Sequence, residues 1–278
     1  MTITQALSAA MAHGLQRLDA QMLLLHAAGQ PLEARAWLLA HDHDLLDAVV
    51  TTKFELAARR RAAGESVAYI TGMREFFGLS LQVDARVLVP RPDTETLVQW
   101  ALEVAGAQGS AIDLGTGSGA IALALKSQRP GLQVTATDIS ADALAVARSN
   151  AVRLGLDVAF AQGNWLDPAQ NHRSGKPPQY DLIVSNPPYI ASGDAHLAAL
   201  THEPLQALAS GADGLDAIRQ IVASAPAHLE KGGWLLLEHG YDQAARVRDL
   251  LTQAGFIGVR SRRDLAGIER CSSGKIEF

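Results

Sequence analysis

The stretch Asp113-Leu114-Gly115-Thr116-Gly117-Ser118-Gly119 decides how this chain folds. A short apolar run, residues 111–114, leads into it and predicts a buried parallel strand, while residues 119–127 predict a helix. A glycine-rich turn between such a strand and helix presents backbone N–H groups to a ligand and lets it approach closely. The stretch therefore predicts a nucleotide-type site at the carboxyl end of a strand in an open α/β sheet.

The chain beyond residue 93 alternates predicted strands and helices, which is typical of a doubly wound parallel sheet. Seven strands are expected, at residues 111–114, 133–138, 158–161, 181–185, 234–238, 257–262 and 269–278. Helices are expected from Asp93 or Thr94 to residue 107, and at residues 119–127, 141–154, 216–228 and 242–254, with a polar loop at residues 170–179. No helix separates the last two strands, so the sheet is expected to close with an antiparallel pair.

Two smaller regions precede this α/β part. Residues 1–73 are rich in Leu, Ala, Gln and Arg and predict a small helical bundle, in which Thr4 and Asp19 are candidate N-caps. Residues 75–90 carry apolar runs on both sides of Asp84-Ala85-Arg86, which predicts a β-hairpin with its turn there. We therefore expect a helical bundle at residues 1–73, a β-hairpin linker at 74–92 and an α/β domain at 93–278.

Composition narrows the class of protein. The 278 residues are 48% hydrophobic and carry a formal net charge of −5, so no overall field favours nucleic acid or membrane. The single cysteine, Cys271, excludes an intramolecular disulfide and suggests a reducing compartment. No apolar run reaches the ~18 residues of a membrane span. We expect a soluble, cytoplasmic protein without a metal site, since His41-Asp42-His43-Asp44 is more simply a solvated turn.

The ligand of the glycine-rich stretch follows from the acidic residues beside it. With Ala120 the stretch also satisfies the loose pattern of nicotinamide cofactor sites, and Asp138 suits a ribose hydroxyl in either case. Asp113 argues against a nicotinamide cofactor, because a carboxylate there would repel its pyrophosphate but would attract a sulfonium and an ammonium. S-adenosylmethionine carries both cations. Asn164 and Trp165, after the third strand, are expected to bond and cover its adenine ring.

A second motif, Asn186-Pro187-Pro188-Tyr189, follows the fourth predicted strand. The prolines keep the backbone out of helix and sheet and leave carbonyls free, while Tyr189 adds a flat wall. Asn186 Oδ1 and the Pro187 carbonyl can accept both hydrogens of a planar –NH2 group, which would stabilise charge developing on its nitrogen during methyl transfer. We predict that Asn186 and Pro187 are catalytic and that all four residues bind substrate. The plainer alternative is a proline-rich loop leaving a strand.

These motifs resemble the PrmC/HemK family of protein-(glutamine-N5) methyltransferases, which modify class I peptide-chain release factors. The resemblance covers nearly the whole chain, through residues 36–41, 61–65, 68–72, 75–79, 90–95, 113–121, 185–190, 203–204, 211–215 and 265–267. Asn-Pro-Pro-Tyr alone is shared with nucleic-acid N-methyltransferases. The Pro90-Arg91-Pro92 linker joined to this helical region is far more specific.

The resemblance implies a seven-stranded, Rossmann-like class I methyltransferase with a small N-terminal helical bundle and a β-hairpin linker. It implies methyl transfer from S-adenosylmethionine to the glutamine of the release factors' Gly-Gly-Gln motif, with the bundle helping to dock the release factor. It implies cofactor contacts from Gly115, Thr116, Gly117, Ser118, Gly119, Asp138, Trp165 and Asn186. The charge of Asp113 and the position of Asn164 add these two residues to the expected cofactor site. We expect a monomer that does not bind nucleic acid directly.

Two other functions compete with this hypothesis. A nucleic-acid exocyclic-amine N-methyltransferase would use the same Asn186 motif, but the near-balanced charge of residues 1–73 disfavours it. A non-catalytic cofactor-binding module would need a degenerate catalytic loop, and here that loop is intact.

Overall fold

The computed structural model describes residues 1–167 and 177–277. Most of the expected loop at residues 170–179, and the end of the last expected strand at Phe278, lie outside the described residues. The chain divides into two compact units, Met1–Met73 and Arg74–Phe278. Among the described residues, no helix combines the length and the apolar character that crossing a membrane requires.

The first unit is a bundle of five helices: α1 (Ile3–Ala12), α2 (Arg17–Ala27), α3 (Arg35–Ala40), α4 (Ala48–Ala62) and α5 (Val67–Thr71). Its core lies between α2 and α4, where Leu23, Leu24 and Phe54 are buried. Both candidate N-caps were wrong. Thr2 caps α1, because its hydroxyl accepts from Gln5 N while the Gln5 side chain accepts from Thr2 N, which completes a capping box. Asp19 lies inside α2 and pairs with Arg61 at 2.7 Å.

A β-hairpin opens the second unit, with β1 (Met73–Phe76) and β2 (Leu79–Gln82). Its turn is Phe77-Gly78, and both residues have positive φ, 50° and 77°. Such a two-residue turn matches the twist of paired strands. The turn predicted at residues 84–86 was therefore wrong. Residues 87–89 form no strand, and Asp84 instead bonds the backbone and side chain of Arg86.

The main sheet has seven strands in the order β5-β4-β3-β6-β7-β9-β8. The strands are β3 (Gly109–Leu114), β4 (Leu132–Asp138), β5 (Ala159–Gln162), β6 (Tyr180–Ser185), β7 (Leu229–Glu238), β8 (Ile257–Arg263) and β9 (Glu269–Lys275). The first five are parallel, and β9 lies between β7 and β8, antiparallel to both. This is the Rossmann-like α/β class expected from the sequence. The antiparallel pair β8–β9 was also expected, because no helix was predicted between the last two strands.

Helices cover both faces of this sheet: α6 (Glu95–Val104), α7 (Ala120–Gln128), α8 (Ala141–Leu154), α9 (Asp216–Ser224) and α10 (Ala244–Gln253). Alternating side chains of β6 enter opposite cores, because successive residues of a strand face opposite ways. Leu182 and Val184 pack in the core containing α6 and α7, while Ile183 packs with α9 and α10. With both faces covered, ligands reach the sheet at its carboxyl edge, where β3, β4, β6 and β7 end.

Candidate active site

The glycine loop follows β3 and fits tightly against its surroundings. Gly115, Gly117 and Gly119 have φ of 72°, 55° and 85°, a region that L side chains rarely adopt. The backbone N–H groups of Gly115 and Thr116 both donate to the Thr137 carbonyl at 2.9 Å. A Cβ at Gly119 would lie 3.0 Å from Leu123 Cδ1. The loop therefore needs glycine at these positions and is fixed against the end of β4.

Asp113 lies behind this loop, where it is fully buried. Its Oδ2 accepts from the Thr116 hydroxyl at 2.6 Å and from Ala122 N at 3.2 Å. Burial raises the pKa of this carboxyl to about 7, although both hydrogen bonds lower it. Asp113 does not line the cleft in front of the loop. It supports the loop and the start of α7, rather than presenting a carboxylate directly to a cofactor as the sequence suggested.

Asp138 occupies the end of β4 and lines the cleft. Its Oδ2 accepts from Gly117 N at 2.9 Å, and its Oδ1 accepts from Ser140 N at 2.9 Å. Burial raises its pKa, while these backbone bonds lower it. The carboxylate therefore joins the glycine loop to the start of α8 and keeps lone pairs for a ligand.

A cleft of about 330 Å³ lies over the carboxyl edge. It brings together seven of the predicted site residues: Gly115, Gly117, Asp138, Asn164, Trp165, Asn186 and Pro188. The opposite wall comes from residues 204–211 and from α9. Thr116, Ser118 and Gly119 do not line the cleft, and the side chains of Thr116 and Ser118 are buried. Their part is to shape the loop.

Trp165 forms one wall of the cleft in a strained conformation, with φ of 44°. Its indole N–H donates to Gln220 Oε1 at 3.0 Å, and its carbonyl accepts from the Thr137 hydroxyl at 3.0 Å. A Cβ at Gly115 would lie 3.2 Å from Trp165 Cζ3, so the ring stands directly above the glycine loop. Such a flat, fixed ring suits the face of a planar ligand group.

Asn186 stands at the end of β6 between two spaces. It lines the large cleft and also a smaller cavity of about 90 Å³, which Pro187 and Tyr189 share with Arg91. Its side-chain Nδ2 donates to Thr94 Oγ1 at 3.0 Å. The preceding Ser185 donates from its hydroxyl to the Leu114 carbonyl at 2.7 Å. The residue predicted to act on the substrate thus separates the two spaces and is held by its neighbours.

Glu238 lies beside Asn186, at the end of the neighbouring strand β7, and its carboxyl group is buried. Burial raises its pKa to about 7, and hydrogen bonds from the Thr94 and Asn186 side chains oppose that shift. Its Oε2 has no hydrogen-bond partner among the described residues. Glu238 therefore belongs to the Asn186 site.

Tyr189 is held by contacts with its backbone carbonyl. Gln243 Nε2 donates to that carbonyl at 3.0 Å, and Gln243 Oε1 accepts from Gly240 N at 2.9 Å. Burial raises the pKa of the Tyr189 phenol to about 12, with a further contribution from Glu238. The ring therefore stays neutral and serves as a wall of the small cavity.

The comparisons with known proteins agree with this architecture. Residues 2–72 match the family model of the PrmC N-terminal domain, and residues 92–213 match that of the methyltransferase small domain. The release factor glutamine methyltransferase of Bordetella pertussis is 51% identical over 269 residues, which cover 94% of this chain and 95% of that protein. The chain belongs to the release factor glutamine methyltransferase family. A relative of the same name in Xylella fastidiosa is 48% identical and is matched over 97% of both chains.

The crystal structure of a methyltransferase from Pyrococcus furiosus has the same fold as this chain. Its TM-score is 0.56 at 19% identity, over 79% of this chain and 98% of that one. The likeness concerns the fold alone.

Four residues of the site were not predicted from the sequence: Arg91, Thr94, Glu238 and Gln243. Glu238 carried a signal, because it is an acidic residue ending an apolar parallel strand at the ligand edge. His239 is buried and bonded to Ser272 and Gly240, and burial lowers its pKa. Its hydrogen bonds are those of a structural residue.

Proposed function

We propose that this chain transfers a methyl group from S-adenosylmethionine to the side-chain nitrogen N5 of the glutamine in the Gly-Gly-Gln motif of class I release factors. The products would be N5-methylglutamine, S-adenosylhomocysteine and a proton released from the amide nitrogen. The observation that carries the proposal is Asn186, which lies between a large cleft and a small cavity while its amide nitrogen is engaged by Thr94. The names of the relatives support the substrate.

The large cleft has the groups that S-adenosylmethionine needs. Asp138 suits the ribose hydroxyls, the Trp165 ring suits the adenine face, and the glycine loop allows close approach of the backbone. Gly115, Gly117, Asp138, Asn164, Trp165 and Asn186 would hold the cofactor from the wall of the cleft. When bound, the cofactor supplies a methyl group made electrophilic by a sulfonium.

The small cavity suits the side-chain amide of glutamine. An amide nitrogen is a poor nucleophile, because its lone pair is delocalised into the carbonyl. Asn186 Oδ1 and the Pro187 carbonyl would accept its two hydrogens, stabilise charge developing on nitrogen and hold the lone pair in the attacking direction. The half-buried ring of Tyr189 would pack against the amide plane.

The helical unit, residues 1–73, would contribute to docking the release factor. Its match to the PrmC N-terminal domain supports a role tied to this family and not to methyltransferases in general. We place the reaction in the cytoplasm, with the enzyme acting as a monomer on a folded protein and without direct contact to nucleic acid.

A labelling experiment tests the function. The protein is incubated with methyl-tritiated S-adenosylmethionine and either a purified class I release factor, the same factor with the Gly-Gly-Gln glutamine replaced by alanine, or total RNA. We expect label in the unaltered factor alone, with mass spectrometry locating the methyl group on that glutamine. Label in RNA alone, or equal label in both forms of the factor, would contradict the proposal.

A further inference from the structure

We propose that Thr94 and Glu238 are positioning residues that set the orientation of the Asn186 side-chain amide, so that its oxygen, and not its nitrogen, faces the methyl acceptor. The proposal deepens the function above and rests on the assignment of Asn186 to the acceptor site. It adds two residues that neither motif in the sequence contains.

The orientation follows from counting hydrogens. Asn186 Nδ2 carries two hydrogens and donates one to Thr94 Oγ1 at 3.0 Å. The Thr94 hydroxyl accepts this bond and has one hydrogen of its own, which is available to the neighbouring Glu238 carboxyl. The second hydrogen of Asn186 is also available to Glu238, which is hydrogen-bonded to the Asn186 side chain. Both hydrogens therefore have acceptors at hand, and among the described residues none donates to Oδ1.

The reversed orientation would be unfavourable on both sides of the amide. Turning Asn186 over would place Oδ1 against a buried carboxylate, so that two acceptors would face each other without a hydrogen between them. The –NH2 group would then face the –NH2 group of the acceptor, and neither could accept. An asparagine with the reversed amide could neither bond the acceptor nitrogen nor stabilise charge on it.

Burial shows that these residues act through Asn186 and not on the acceptor. Thr94 and Glu238 are 4% and 1% exposed, and neither lines the large cleft or the small cavity. They come from different parts of the chain, the start of α6 and the end of β7. The charged or titratable groups around Glu238 are Asp93, Arg270, Tyr189 and Cys271, of which Arg270 favours the ionised carboxylate and Asp93 opposes it.

Paired substitutions at each position test the proposal. Thr94→Val keeps the shape but removes the hydroxyl, and Thr94→Ser restores it. Glu238→Gln keeps the shape but offers an –NH2 group that can bond Asn186 Oδ1 and hold the reversed orientation. Glu230→Gln, an exposed position on the same strand, is the matched control. Melting temperature is recorded for all four variants, and the affinity for S-adenosylhomocysteine by calorimetry, which needs no turnover.

We expect kcat to fall by about tenfold in Thr94→Val and by about 10²-fold in Glu238→Gln, the scale of losing one transition-state hydrogen bond. Thr94→Ser and Glu230→Gln should stay within about threefold of wild type. The affinity for S-adenosylhomocysteine and the KM for the acceptor should change little in every variant. A fall in kcat alone indicates lost positioning of Asn186. Unfolding would instead lower the melting temperature and weaken binding of S-adenosylhomocysteine as well.

The pH profile gives a second readout. The pKa of Glu238 is raised to about 7, so the carboxylate that orients Asn186 forms as the pH rises through that value. The wild-type kcat should therefore rise across this range, and the rise should be absent in Glu238→Gln. Near wild-type kcat in either Glu238→Gln or Thr94→Val would overturn the proposal, as would equal losses in Thr94→Val and Thr94→Ser.

The variants are compared on whichever acceptor the wild-type enzyme labels, release factor or RNA. If the release factor is not labelled, the proposed function fails. The positioning of Asn186 is then still tested on the other amine, because both acceptors need a hydrogen-bond acceptor at that point.

Discussion

The side-chain amide of Gln243 donates to the Tyr189 carbonyl at 3.0 Å, while its oxygen accepts from Gly240 N at 2.9 Å. Gln243 is 3% exposed, and it joins the loop after β6 to the loop after β7. We expect Gln243→Leu to lose about 1–3 kcal/mol of unfolding free energy, because buried backbone groups lose their partners. Urea unfolding measures this. Gln253→Leu, exposed at the end of the helix that Gln243 precedes, is the control and should change little. Equal effects at both positions would contradict the assignment.

Gly214 lies against the same carbonyl. A Cβ there would be 2.2 Å from Tyr189 O and 2.7 Å from Gln243 Nε2, and its φ is 77°. We expect Gly214→Ala to cost about 2–4 kcal/mol and to displace the Tyr189 loop, since backbone cannot move aside as a flexible side chain can. Thermal unfolding and kcat measure the two effects. Gly193→Ala, with nothing within 4 Å of its Cβ, is the matched control. A stable, active Gly214→Ala would show that the two loops are farther apart.

Removing the Asn186 side chain should affect chemistry more than cofactor binding. We expect Asn186→Ala to lower kcat by about 10² or more, because the acceptor nitrogen loses a hydrogen bond that strengthens in the transition state. Affinity for S-adenosylmethionine should fall far less, since Asn186 is only one of many residues lining the large cleft. Steady-state kinetics and calorimetry separate the two effects. Turnover near wild type would remove Asn186 from the reaction.

Asp138 should matter for cofactor binding. We expect Asp138→Ala to weaken binding of S-adenosylmethionine by about 1–3 kcal/mol, from lost hydrogen bonds to the ribose and from a loosened Gly117. Calorimetric titration measures the change. Asp142→Asn, exposed at the start of α8, is the control and should bind like wild type. Unchanged affinity in Asp138→Ala would place the ribose elsewhere in the cleft.

Stability should depend on pH through Asp113. Its pKa rises from 3.8 to about 7 on folding, so between these values the folded state binds more protons than the unfolded state. The free energy of unfolding should therefore fall as the pH rises from about 4 to 7 and level off above 7. Asp113→Asn should flatten this slope but not abolish it, because the Glu238 pKa shifts in the same direction. Denaturant unfolding at several pH values measures the slope. A slope unchanged by the substitution would mean that Asp113 is not the group responsible.

The sheet and its glycine loop were predictable because they follow from local signals. Apolar runs indicated the strands, and glycines indicated the turn after β3. The lack of a predicted helix between the last two strands indicated that they form an antiparallel pair. The hairpin turn was misplaced, because Phe77 adopts a positive φ, which is uncommon for phenylalanine and so is not predicted from the residue type. Asp19 was misread for a different reason, because its partner, Arg61, lies far along the chain.

The supports of the candidate site were the least predictable part. Asn186 and Thr94 lie 92 residues apart, and only the assembled sheet brings them together with Glu238. Motif reasoning found groups that stand beside one another in sequence, such as Asn186 to Tyr189. It could not find residues whose role depends on which strand ends next to which.

The position of β9 makes the order of synthesis differ from the order of pairing. β8 pairs with β9 and not with β7, so the ribosome makes β8 before it makes the strand that joins β8 to the sheet. Until residues 269–275 emerge, β7 presents an unpaired edge, and Arg270 cannot yet act on Glu238. The Asn186 site therefore reaches its final electrostatic environment only after β9 has paired with β7. We expect a ribosome-bound chain ending before residue 269 to be sensitive to proteolysis.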